Sequence, residues 1–70
     1  AVYPNPTLDQ FTVQTDLELY TMTIIDASGR VILQQQNCSY NTPVELDQRG
    51  VFLVRIQTET QFAVRKVIIQ

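Results

Sequence analysis

Side chains able to carry chemistry are few in this chain. Cys38 is its one cysteine, and it has no histidine. A thiol or a serine hydroxyl needs a neighbouring base to become a nucleophile, and imidazole is the usual one, so neither Cys38 nor the serines read as catalytic. A lone thiol cannot form an internal disulfide and leaves the redox compartment unread, so Cys38 reads as an inert or half-buried side chain. Asp9, Asp16, Asp26 and Asp47 could offer oxygen ligands. They lack the spacing of an EF-hand loop, however, and aspartates beside turns are explained by the backbone N–H groups they cap. With no cysteine and histidine cluster for zinc, the sequence reads as a non-enzyme without metal or cofactor. Five basic and seven acidic residues give a net charge of −2 without a run of either sign. Nucleic acid or an anionic membrane would call for a clustered basic patch. The chain has no tryptophan and three scattered tyrosines, a poor start for the aromatic platform of a glycan-binding module.

The elements that must position these groups are built around Gly50-Val-Phe-Leu-Val-Arg-Ile-Gln-Thr58. Phe52, Val54 and Ile56 fall on one side of an extended chain, with Val51, Leu53, Arg55 and Gln57 on the other. Its first half is apolar on both sides and its second half on one. The stretch is therefore expected inside a sheet, emerging towards solvent at Arg55. Seventy residues suffice for one small domain with a single core and no deep cavity. No signal peptide, membrane-spanning run or lipidation motif is visible. A chain opening on Ala-Val-Tyr-Pro is expected to be a domain excised from a larger protein.

Val2 to Pro6 is extended by constraint, because each proline fixes its own φ and drives the preceding residue out of the helical region. It suits an edge strand or a polyproline-like segment, with Tyr3 covering one end of the core. Phe11 and Val13 alternate with polar neighbours in a strand from about Gln10 to Thr15, and Tyr20, Met22 and Ile24 share one face of another from Leu19 to Asp26. Asp26-Ala-Ser-Gly29-Arg30 predicts a tight turn: Asp26 can accept backbone N–H bonds and Gly29 can take a left-handed conformation. A return strand over Arg30 to Gln35 follows, then a polar loop around Cys38 that takes in Gln34, Gln35 and Gln36. Val44 and Leu46 mark a short strand with Pro43 at its edge. Thr58 to Gln61 is a polar turn, and Phe62 to Gln70 the last strand. Phe62 and Val64 share one parity there and Val67 and Ile69 the other. Either a bulge near Arg65 and Lys66 or a regular strand covered on both faces would reconcile them. About seven short strands and no helical periodicity predict an all-β, immunoglobulin-like antiparallel β-sandwich. Its core is expected to hold Phe11, Met22, Ile24, Val44, Leu46, Phe52, Val54 and Ile56.

Four stretches, in this order, resemble the C-terminal sorting domain of the bacterial type IX secretion system. They are Tyr3-Pro-Asn-Pro6, Met22-Thr-Ile-Ile-Asp26-Ala-Ser-Gly29-Arg30, Gly50-Val-Phe-Leu-Val54 and Arg65-Lys-Val-Ile-Ile-Gln70. Together they cover nearly the whole chain. The resemblance implies a seven-stranded immunoglobulin-like module, residues 1 to 70, ending a secreted precursor whose N-terminal cargo carries its own export signal. Such a module acts as an address. It directs its cargo from the periplasm through an outer-membrane translocon, with a shuttle protein among its partners, and a sortase-like cysteine protease then removes it. The parent protein is released or held at the cell surface.

Carried over by position, the family's signal residues fall on Pro4, Asn5 and Pro6, on Gly29, on Gly50 and Phe52, and on Lys66, Val67 and Ile69. Phe52 stands where tyrosine is more usual, and Leu46 is slightly off the common spacing to the glycine. The last strand, with Arg65 beside Lys66, is the surface the resemblance offers to a translocon, and Gln70 after Val-Ile-Ile reads as a chain end. The excised domain is expected to be a monomer or a weak dimer, since open sheet edges are only partly protected by proline. The alternative is an accessory immunoglobulin-like module that spaces, or binds glycan for, a neighbouring enzyme.

Overall fold

A computed structural model describes residues 1–3 and 10–70, so the expectation for Pro4 to Pro6 lies outside the described residues. The chain forms seven strands: β1 (Val2–Tyr3), β2 (Gln10–Val13), β3 (Tyr20–Ile25), β4 (Val31–Cys38), β5 (Thr42–Glu45), β6 (Gly50–Gln57) and β7 (Phe62–Ile69). They make a three-stranded sheet in the order β1-β2-β5 and a four-stranded sheet in the order β4-β3-β6-β7, and every pairing is antiparallel. β6 lies inside the larger sheet, as its alternation predicts.

The core lies between the sheets. Phe11, Val13 and Val44 come from the smaller one, with Tyr20, Met22, Ile24, Phe52, Val54, Ile56, Val67 and Ile69 from the larger. All eight expected core residues are buried, including Leu46, which lies just past β5. Each large apolar side chain removed from water contributes about 1.5 to 3 kcal/mol, and these contacts offset the entropy of ordering so short a chain.

Local chemistry sets the turns. The Asp26 carboxylate accepts the N–H groups of Ser28 and Arg30, each at 3.0 Å, and Gly29 at φ +91° closes the β3–β4 hairpin. Thr58 closes the β6–β7 hairpin: its hydroxyl accepts the Gln61 N–H at 2.9 Å, and its own N–H donates to the Gln61 carbonyl at 2.9 Å.

Four expectations need correction. The return strand does not end at Gln35: β4 includes Gln34 and Gln35 and runs on through Gln36 and Asn37, expected in a loop, to Cys38, which pairs with Tyr20. Backbone pairing extends a strand whatever its side chains, and β4 absorbs the polar tract with register shifts between Tyr20 and Met22 and between Ile24 and Ile25. β7 has no bulge, since its register with β6 is unbroken from Gly50↔Ile69 to Gln57↔Phe62. It is not covered on both faces either. Phe62 and Val64 take the outer side of the larger sheet and remain exposed. Tyr3, finally, is exposed and caps nothing, while Val2 packs against the core.

One clasp was not foreseen. The Tyr20 hydroxyl, buried on β3, donates to the Tyr40 carbonyl at 3.1 Å and shares a short hydrogen bond with the Thr42 hydroxyl on β5. It ties the larger sheet to the smaller one. Tyr40 sits at φ +51°, a left-handed conformation costing a bulky residue roughly 1 to 2 kcal/mol. The corner is held by Tyr40 N–H donating to the Leu17 carbonyl at 3.0 Å and Tyr40 Oη donating to Glu18 at 3.2 Å.

Candidate recognition surface

The described residues gather no metal-binding set. They contain no cluster of three or more histidine, cysteine or acidic side chains that could hold an ion. The Cys38 thiol is buried and donates to the Gln35 carbonyl at 3.4 Å; burial pushes its pKa up, the opposite of what a nucleophile requires. Asp26 is held ionised below the usual carboxylate range, first by the Ser28 hydroxyl at 2.6 Å and then by the Arg30 N–H. Its ligands are its own turn.

The residues marked out in the sequence separate into two groups. Phe52, Val67 and Ile69 are core side chains, with Phe52 directly opposite Val67 and Gly50 opposite Ile69 at the same end of the β6–β7 pair. Gly29 and Gly50 have φ of +91° and +126°, and a Cβ added at either would meet nothing within 4 Å. Their value lies in backbone geometry. Lys66 alone in the described set presents an exposed side chain. Arg65 does not share its surface: Lys66 pairs with Leu53 and takes the outer side of the sheet, whereas Arg65 pairs with Val54 and takes the inner side. It is nevertheless exposed, although Val54 opposite it is buried.

The outer face of the four-stranded sheet is the largest surface that sequence reasoning missed. By register its successive rows are Thr21-Gln57-Phe62, then Gln34-Thr23-Arg55-Val64, then Val31-Ile25-Leu53-Lys66, then Val51-Ile68. Phe62 is 65% exposed, Val31 53%, Val51 44% and Leu53 40%. The expectation that β6 would meet solvent first at Arg55 is reversed. Val51 and Leu53 lie open, while Arg55, flanked by Thr23 and Val64, is half-buried on its neighbours. Its Nε is shielded from solvent and finds no hydrogen-bond partner. The strand residues of this face include no carboxylate, on a chain whose net charge is −2, and the nearest one in the adjoining turn is Glu59, beside Thr21, Gln34 and Gln57. The period-two pattern of β6, apolar on both parities through Leu53, was the signal available for it.

A family model described as a secretion system C-terminal sorting domain matches residues 1–70. The chain belongs to that family. Membership makes it a sorting domain of type IX secretion and implies a secreted or surface-displayed parent protein that meets the type IX machinery. Among curated proteins no sequence matches the chain. Among the described residues, three of the positions the resemblance marks, Phe52, Val67 and Ile69, lie in the core of this sorting domain, and the outer face of its larger sheet mixes exposed apolar side chains with polar ones.

Proposed function

We propose that residues 1–70 serve as a non-catalytic C-terminal signal. The domain directs an N-terminal cargo through the periplasm, with a shuttle protein among its partners, and across the outer-membrane translocon. A sortase-like cysteine protease then cleaves it away. The observation that carries this reading is the family match along the whole chain. The two-sheet fold with one core between the sheets is consistent with it.

Within this reading the signal residues divide by role. Gly29 and Gly50 set two backbone turns, and Phe52, Val67 and Ile69 hold the β6–β7 pair onto the core. Lys66 is the member presented for recognition, and Pro4, Asn5 and Pro6 complete the signal ahead of β2. A reporter with an N-terminal export signal, fused ahead of residues 1–70 and expressed in a host with the secretion system, tests the proposal. The reporter should leave the cell, and its mass outside should be that of the reporter without the domain. Export of the fusion with residues 1–70 still attached would refute the cleavage step, and equal export of reporter lacking the domain would refute the signal itself.

A further inference from the structure

We propose that the outer face of the four-stranded sheet, centred on Arg55, docks on a protein partner that presents apolar side chains around a carboxylate. The inference deepens the sorting reading and rests on it. Three observations converge on one chemistry. Val31, Val51, Leu53, Phe62 and Val64 make up five of the eight exposed large hydrophobic residues among the described residues, and all five lie on this face. A sheet face normally alternates apolar-in with polar-out when it is meant for water. Arg55 has a shielded, unpartnered Nε in the middle of it, and a buried polar group without a partner is costly until one arrives. A carboxylate is the natural acceptor for a guanidinium, no strand residue of this face supplies one, and Glu59 at its edge does not bond the Arg55 Nε.

Charge also chooses among occupants. A second copy packed face to face would bring Arg55 and Lys66 against the same cations. A partner with an acidic group inside an apolar surround complements both features.

Size fits a contact that is read and released. Four strands about 4.8 Å apart and about 3.3 Å per residue give a face on the order of 500 Å², hence about 1,000 Å² buried between two partners. That is the low, transient end of specific interfaces.

Binding of the reporter fusion to purified, detergent-solubilised type IX translocon, read alongside export, tests the inference. Arg55→Gln and Leu53→Thr should each weaken binding about tenfold or more and cut export in proportion, with melting temperatures near that of the parent fusion. Arg65→Gln makes the same charge change on the opposite side of the sheet and should leave both readouts within about twofold. Wild-type binding and export in Arg55→Gln and Leu53→Thr would overturn the inference, and so would equal losses from Arg55→Gln and Arg65→Gln. Anionic phospholipid vesicles that bind the fusion through Arg55 without translocon would assign the face to membrane. Micromolar self-association abolished by Leu53→Thr would assign it to a second copy. Either result would overturn the proposal. Export lost on removing residues 1–70 but intact in the face variants would sink this inference alone, whereas export indifferent to the whole domain would sink the sorting reading beneath it.

Discussion

Replacing Phe52 and Leu53 one at a time tests which side of β6 holds the fold together. The two residues are adjacent, yet Phe52 is 3% exposed against the core, opposite Val67, and Leu53 is 40% exposed on the outer face. Phe52→Ala removes a buried ring and leaves a cavity between the sheets, a loss of about 3 to 5 kcal/mol. A chain of this length has a total stability of roughly 4 to 10 kcal/mol, so the variant keeps about two thirds of its stability at best and at worst does not fold. At about 4 to 8 °C per kcal/mol for a domain of this size, the melting temperature should fall by roughly 12 to 40 °C. Leu53→Ala removes a side chain that is only partly covered, at 40% exposure, and should cost about 1 kcal/mol, through modest burial and β-propensity. Thermal and urea denaturation of both variants, followed by circular dichroism, makes the comparison. Equal losses, or a Phe52→Ala protein melting within a few degrees of the parent, would mean that the inner face of β6 is not where the core lies.

Other substitutions probe the turns and the clasp. Gly29→Ala and Gly50→Ala should each cost about 1 kcal/mol, because both positions have positive φ and neither lacks space, and Gly29→Asn should cost less; equal losses from Gly29→Ala and Gly29→Asn in urea melts would count against a left-handed Gly29. Tyr20→Phe should cost about 1 to 3 kcal/mol, since it strands the buried Thr42 hydroxyl and frees the Tyr40 carbonyl; a neutral result would show that the clasp does not join the sheets. Asp26 has its pKa lowered in the fold, so the stability it contributes is present above its ordinary value of about 3.9 and is lost as pH falls through the lower folded value. The stability gap between the parent and Asp26→Asn should accordingly be flat from about pH 7 to 5 and narrow below about pH 4; a gap that persists unchanged into stronger acid would exclude the ionised carboxylate as its source.

The sequence was most legible where local chemistry decides structure. Phe52, Val54 and Ile56 reveal β6 because period-two burial needs no knowledge of neighbours, and the Asp26 to Gly29 turn is written in side chains that bond their own backbone. It was least legible where a partner strand or an uncovered face decides. Nothing in Gln34 to Gln36 favours a strand; β3 supplies their backbone partners. The mixed parity of Phe62, Val64, Val67 and Ile69 was expected to demand a bulge or two covered faces, and a third solution applies in which Phe62 and Val64 stay in water. Arg65 and Lys66 looked like one cationic patch because they are adjacent, but adjacency in a strand places side chains on opposite faces. Of the positions the resemblance marks, the turn glycines and the buried Phe52, Val67 and Ile69 have backbone and packing roles that their residue types already suggest. The half-buried setting of Arg55 could not be read that way, because it arises only once Thr23 and Val64 flank it.

The central claim is that this domain is an address read by type IX secretion. The most direct test is the amount of reporter outside the cell when the fusion to residues 1–70 is expressed in two strains that differ only in the type IX translocon. The account predicts reporter on the surface or in the medium of the strain with the translocon, and retention within the envelope of the strain without it. Equal amounts outside both strains would contradict it.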